Sequence, residues 1–345
     1  MVISPEKIFS DEAILIYDGV TPVNLTHTYS DSRQDSKGQE IPFAEIYASL
    51  KELRTDVENW YKKSTGQDMN TFKLGDMGET VKRKFWDDSR FKRVFEILEI
   101  DYDLVTKTSI PWWNEVAAGE LEHRVLGGGV VHIKLAPRHS IETQLMRVDV
   151  ERPVRNVSVG GVIITSPEEE AQNGNVMIGL RGGASYQNTY HINAGALKAT
   201  EPFKKGLVTA YDIFRQEELI KEFGIRDEDI ASAVLHSRIY DYVIDKGPTY
   251  VFKVNVKVNR EQLLNRWRSN LDPDKQEHDS PVFIPNAAAD IRLFIKQNYR
   301  GVVVSRPRKD EDRYLLHPGA LSLASLCGFG IGELASLYQE KEGGW

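Results

Sequence analysis

The sequence predicts an α+β fold, and three features predict it. Apolar, β-branched runs bounded by polar or glycine-rich stretches recur between residues 130 and 258, the pattern of strands separated by turns. Stretches with apolar residues at helical spacing lie upstream and downstream of them. Among the strands, residues 208–223 read as an acidic helix that Gly224 stops.

Taken in order, residues 14–17 and 22–25 are expected to form a strand pair, followed by a polar loop at 30–39. Residues 43–63 read as an amphipathic helix, with Ile46, Leu50, Leu53, Val57 and Trp60 on one face. Residues 79–98 read as another, with Val81, Phe85, Phe91, Val94, Phe95 and Leu98 as a core stripe. The run Lys82-Arg83-Lys84, with Lys92 and Arg93 beyond it, is interrupted by Asp87 and Asp88 and reads as a solvated face. Pro111-Trp112-Trp113-Asn114 sets two indoles beside a carboxamide. Exposed, they would stack on a base or a sugar; buried, they would pack between domains. Gly127-Gly128-Gly129 precedes an apolar strand at 130–135 and reads as a turn, because a phosphate loop needs a helix after it.

Three strands follow, at 157–165, 176–181 and 190–195, and then the acidic helix. Residues 231–244 and 249–258 read as further strands, the second alternating with period two as a half-buried strand does. A helix at 261–268 precedes a charged loop at 271–280 that holds Glu277, His278 and Asp279. A helix at 286–298, a strand at 301–305 and a last helix at 315–326 complete the reading. The expected organisation is an N-terminal α+β region at 1–150, a central domain at 151–305 and a C-terminal helical extension at 306–345.

Composition sets outer limits. The chain has 345 residues, a net charge of −7 and 41% hydrophobic residues, enough for a substantial core and for two domains or one large one. Mild acidity argues against a nucleic-acid partner, which calls for a basic patch or stripe. The single cysteine, Cys327, excludes an intrachain disulfide and a cysteine-based zinc cluster, and its apolar neighbours mark it as core. The eight histidines show no H-x-x-x-H or H-E-x-x-H spacing, and His317, before a proline, reads as structural. No targeting segment or membrane span is evident, so a soluble cytoplasmic protein is expected. The oligomeric state stays open, a homo-oligomer included.

The acidic helix carries the chemistry. Glu218 and Glu222 fall one turn apart on one face, where two carboxylates repel by a few tenths of a kcal/mol. A hard cation such as Mg²⁺ would relieve that repulsion. Arg215, three residues before Glu218, shares the face and is placed to orient both. The bland alternative is a solvated helix in which Glu217 and Lys221 form an i,i+4 salt pair.

Gly195, then Glu201, then residues 217–225 resemble the signature G-x5-E-x7-R-E-U-x-E-E-x-G-U of the Nudix hydrolase family, where U is a bulky aliphatic residue. Gly195, Glu201, Glu218, Leu219, Glu222, Gly224 and Ile225 match. Glu217 replaces the family's arginine and Lys221 the first glutamate of its pair, and residues 202–216 supply fifteen positions where the family has seven. The resemblance implies a Nudix-like α/β/α sandwich with a mixed sheet over residues 151–305. It implies a metal-dependent hydrolase of a nucleoside diphosphate-linked small molecule. Glu218, Glu222 and Glu201 would be the catalytic residues and would hold Mg²⁺ or Mn²⁺, while Arg181 and Lys221 would meet substrate phosphates. A base from outside the signature is implied too, with Glu277 a candidate. The alternative is a catalytically silent Nudix-like domain that binds a nucleotide or a protein partner.

Overall fold

A computed structural model describes residues 8–17, 24–34, 38–66, 72–73, 79–89, 92, 96, 102, 109–110, 117–137, 155–169, 171–182, 188–242, 247–270, 278–301 and 313–342. The fold is mixed α+β. Its centre is a nine-stranded sheet whose main path runs Ile14–Ile16, Ile230–Asp241, Gly247–Val256, Ser158–Ile164, Asn175–Arg181, Thr189–His191 and Tyr314–Leu315. Two strands join off that path, Asn193–Ala196 beside Ser158–Ile164 and His278–Pro285 beside Asn175–Arg181. Ser158–Ile164 runs parallel to Gly247–Val256, and Thr189–His191 parallel to Tyr314–Leu315; the other pairs are antiparallel.

One irregularity in this sheet positions the site. Ser158–Ile164 and Asn175–Arg181 pair only at Ile163 with Met177 and Ile164 with Val176. Beyond that point they separate, and the chain between them fills the gap. Asn193–Ala196 takes up the 158–161 half of one strand, and Thr189–His191 takes up Gly179 and Leu180 of the other. The expected strand at 190–195 is therefore two short strands that break at Ile192 and serve different neighbours.

Both faces of the sheet are covered, which is why Ser158–Ile164 is apolar on both sides rather than alternating. On one face, Val162, Ile164, Val176 and Ile178 pack against Ala288–Asn298, His317–Cys327 and Ile331–Glu342. The last of these helices lies within the helical extension expected at 306–345, past the helix read at 315–326, and Cys327 is buried with the core as expected. On the other face, Val159, Ile163, Met177 and Phe252 meet the acidic helix, Leu263 and Trp267 of Arg260–Ser269, and Val131, Ile133 and Leu135.

Those last three belong to a separate four-stranded sheet, in the order Asn24–Tyr29, Val130–Pro137, Ala118–Leu126, Arg155–Asn156. The predicted pairing of residues 14–17 with 22–25 is thus corrected. Ile14–Ile16 hydrogen-bonds to Ile230–Asp241 in the large sheet, and Asn24–Tyr29 lies parallel to Val130–Pro137 in the small one. Local apolarity marked both as strands but carried no information on their distant partners. The glycine triplet is a turn, as read, joining Leu126 to Val130 with Gly128 and Gly129 at positive φ. Phe43–Thr65 and Glu79–Trp86 are helical, while Trp112, Trp113 and Glu277, most of 90–98 and residues 302–305 lie outside the described residues. The expected loop at 271–280 is corrected at its end, since His278 begins a strand. Among the described residues, no helix is long and apolar enough to cross a membrane.

Candidate functional site

The acidic helix starts later than the sequence suggests and is not uniformly α-helical. Thr209 caps it: its Oγ1 accepts from the Asp212 amide at 3.1 Å, and Asp212 Oδ2 accepts from the Thr209 amide at 2.8 Å. Ala210–Phe214 is α-helical, Arg215–Ile220 is wound as a π-helix, and Lys221–Phe223 returns to α. Gly224, at φ 64°, ends it in the left-handed conformation that only glycine adopts cheaply. The extra residues before it form a separate helical turn, Glu201–Lys204, and a bend at Gly206.

Aromatic anchors hold this helix on the sheet. Phe214, Leu219 and Phe223 are fully buried, and each such side chain contributes about 1.5–3 kcal/mol. The Phe214 ring stacks on Phe252 at 5.7 Å and lies so close to the backbone that a Cβ at Gly161 would be 2.4 Å from its Cζ. With that face fixed inward, Glu217, Glu218, Lys221 and Glu222 turn to the place where the two strands separate. There they line a cleft of about 350 Å³ with Gly195 and Lys198.

Glu218 is buried opposite Gly195. Gly195 lies within a strand, and its role is the missing side chain. A Cβ there would stand 2.3 Å from Glu218 Oε1. Glu222 reaches the neighbouring strands, its Oε2 3.4 Å from Nε2 of His278. That imidazole is buried against Gly179, where a Cβ would come within 2.0 Å of its Nδ1. Arg181 is the register partner of His278 across the sheet, and Gly179 that of His191. Burial, reinforced by Arg181, pushes His278 down to about 3 and His191 down to about 4, so both rings are neutral at pH 7.

Glu217 stands at the mouth. Lys198 and Lys221 each donate to a different oxygen of its carboxylate, Lys221 at 2.5 Å. Burial works to raise this carboxyl, and the two ammonium groups overcome it and hold it below the usual glutamate range. The expected Glu217–Lys221 pair is therefore present, with a second lysine added from the strand side.

The predicted site residues divide clearly. Glu218, Glu222 and Lys221 are brought to one cleft, and Arg181 stands beside the histidine that touches Glu222. Glu201 is not brought there: it is exposed on the separate helical turn and pairs with Lys204 at 3.0 Å. Arg215, expected to orient the carboxylates, instead binds Asp227. Sequence reasoning missed Lys198, His191 and His278. Lys198 meets Glu217 nineteen residues away, a pairing with no periodicity behind it. His317 accepts or donates one bond with Tyr299 Oη at 2.7 Å inside the core, in keeping with a structural role. Among the described residues, no group of three or more His, Cys, Asp or Glu side chains is arranged to hold a metal ion.

Comparison with known proteins gives no family assignment: no family model matches the chain, and no curated protein sequence matches it either.

Proposed function

We propose that this protein is a Nudix-type hydrolase acting on a nucleoside diphosphate-linked small molecule, with its reacting centre in the cleft under the acidic helix. One observation carries the reading. Glu218 and Glu222, matched to the signature, converge on a single cleft beside the split in the sheet, and Gly195, the signature's first residue, leaves the space that Glu218 occupies.

The donor set fits a minimal divalent site and not a larger one. Mg²⁺ is commonly held by one or two carboxylates, with water and substrate phosphates completing its shell. Glu218 and Glu222 supply two carboxylates; Glu201, on its own exposed turn, supplies none. When bound, Mg²⁺ or Mn²⁺ would neutralise phosphate charge and make a coordinated water more acidic. The chain's own contribution is positional. Phe214, Leu219 and Phe223 fix the helix, His278 abuts Glu222, and Lys198 and Lys221 offer donors at the rim.

The test is a turnover screen with nucleoside diphosphate sugars, dinucleoside polyphosphates, ADP-ribose, NADH and nucleoside triphosphates, in Mg²⁺ and then Mn²⁺. Products are read by mass spectrometry. Metal-dependent cleavage that Glu222→Gln abolishes is the expected result. A catalytically silent nucleotide-binding domain is the second reading, favoured by the position of Glu201 and by Lys221 where the family has a carboxylate. Binding of one of these compounds without turnover, indifferent to chelator, selects it.

A further inference from the structure

The rim and the floor of the cleft carry opposite charge. On the floor, Glu218 is buried and Glu222 lies against buried His278. At the rim, one carboxylate, Glu217, is shared by two ammonium groups, so this triad bears one net positive charge. Lys221 comes from the same helix as Glu217, whereas Lys198 follows the Asn193–Ala196 strand on the opposite wall. The triad therefore spans the mouth from the helix to the sheet. Its side chains are part-exposed: Lys198 44%, Lys221 52% and Glu217 23%. The lysines can change partner at small cost, since exposed ion pairs are worth only about 0–1 kcal/mol.

We infer that Lys198 and Lys221 form a phosphate-binding clasp, occupied by Glu217 in the free protein, that binds phosphoryl oxygens without any metal. In the free protein Glu217 engages both ammonium groups and offsets one of their two charges. An arriving phosphoryl group takes over the donors, offering more acceptor oxygens and more negative charge than one carboxylate. Glu217 is then a competitor of the ligand rather than one of its contacts. This site shares the cleft with the hydrolase reading but does not depend on hydrolysis. It requires only that a phosphorylated compound enters at the rim.

The opposed roles give opposed signs. Binding of inorganic pyrophosphate and of ADP to the full chain is measured by calorimetry in EDTA. Lys198→Gln and Lys221→Gln should each weaken binding about ten-fold, the loss of one charge-assisted hydrogen bond. Lys198→Arg should retain most of it, since charge and donors persist. Glu217→Gln should tighten binding a few-fold, because it frees both lysines. Raising salt from 0.05 to 0.5 M should weaken wild-type binding, as these side chains are open to screening.

The inference is overturned if wild type binds neither probe in EDTA, if Lys198→Gln binds as wild type does, or if Glu217→Gln weakens binding as the lysine variants do. The last outcome would make Glu217 a ligand contact. The clasp and the hydrolase reading fail separately. The four variants behaving as stated, with no compound turned over, retains the clasp and removes the hydrolase. Turnover abolished by Glu222→Gln but with KM unmoved by Lys198→Gln retains the hydrolase and removes the clasp.

Discussion

Gly195→Ala separates the geometry of the cleft from the stability of the fold. The residue lies in an ordinary extended strand, so alanine meets no backbone penalty there. The added methyl would stand 2.3 Å from Glu218 Oε1, where ordinary contact begins near 3.4 Å, and among the described residues its only other near neighbour is Glu218 Cδ at 3.4 Å. The carboxylate must therefore move by about 1 Å, and a displacement of that size in a reacting group costs on the order of 100-fold in rate. Stability should change little, by about 1 kcal/mol at the low end of overpacking, because the group that yields is the end of a flexible side chain. Gly161→Ala is the contrast. Its methyl would meet Phe214 Cζ at 2.4 Å, Cε1 at 2.9 Å and the Phe252 carbonyl at 3.0 Å, so a buried ring and backbone must give way. That change should cost about 3 kcal/mol or more. Urea unfolding of both variants measures stability, and Mg²⁺-dependent turnover of whichever compound the screen identifies measures function. A folded Gly195→Ala protein with turnover within two-fold of wild type would refute the link between Gly195 and Glu218. Equal destabilisation by the two substitutions would refute the stability argument.

Three further outcomes are expected. Glu120, buried between the sheets, accepts from Arg238 Nη2 at 2.8 Å and from Tyr250 Oη at 2.5 Å, so Glu120→Ala should cost about 3–5 kcal/mol in urea unfolding by leaving the Arg238 charge buried without it. A loss under about 1 kcal/mol would mean that water reaches Arg238 and that the sheets are held by apolar packing alone. Stability should fall as pH drops: burial holds His191 and His317 down at about 4 and His278 at about 3, whereas unfolded histidine takes a proton near 6.5. The contribution is complete above about pH 6.5 and is lost on acidification towards those folded values, at about 1.4 kcal/mol per pH unit for each ring. Urea midpoints at pH 7.5, 6.0 and 5.0 measure it, and a flat profile would show that these rings protonate within the fold. Thr209→Ala removes the cap of the acidic helix and should cost about 1 kcal/mol, with Thr209→Ser close to wild type; equal losses from both would point away from the hydroxyl.

Much of the fold was legible because it rests on local patterns. The apolar run at 157–165 and the alternating run at 249–258 became Ser158–Ile164 and Gly247–Val256, because β-branched residues suit a sheet packed on both sides. Gly224 marked a helix end because the left-handed conformation there has a sequence signal. The failures share one cause, dependence on distant partners. Residues 14–16 and 24–29 look alike as strands but belong to different sheets, and nothing near them in sequence says so. His278 follows a charged segment and reads as loop, yet its ring is buried because Gly179, about a hundred residues earlier, has no side chain to exclude it. Half of the candidate site had a local signal, in the spacing of Glu218, Glu222 and Gly224. Lys198 and His278 had none, since only the separation of two strands brings them to the helix, and His191, which neighbours His278, had none either.

The π-helical turn explains how one short helix furnishes a whole wall of the cleft. Its cleft-lining residues come in adjacent pairs four apart: Ile213 with Phe214, Glu217 with Glu218, and Lys221 with Glu222. In an α-helix four residues overshoot a full turn by about 40°, so two such steps carry the third pair about 80° away from the first. Winding Arg215–Ile220 with i→i+5 bonds turns the chain less per residue and removes much of that drift. The three pairs then stay nearly in register along the axis. The first packs Phe214 into the core, the second sets Glu218 against Gly195, and the third sets Glu222 against His278. Regular α-winding could satisfy the apolar anchors or keep both carboxylates aimed at the cleft, but would strain to do both. The irregular turn thus ties the buried face of the helix to its acidic one, which is the reason to look for chemistry here rather than at the many other glutamates on the surface.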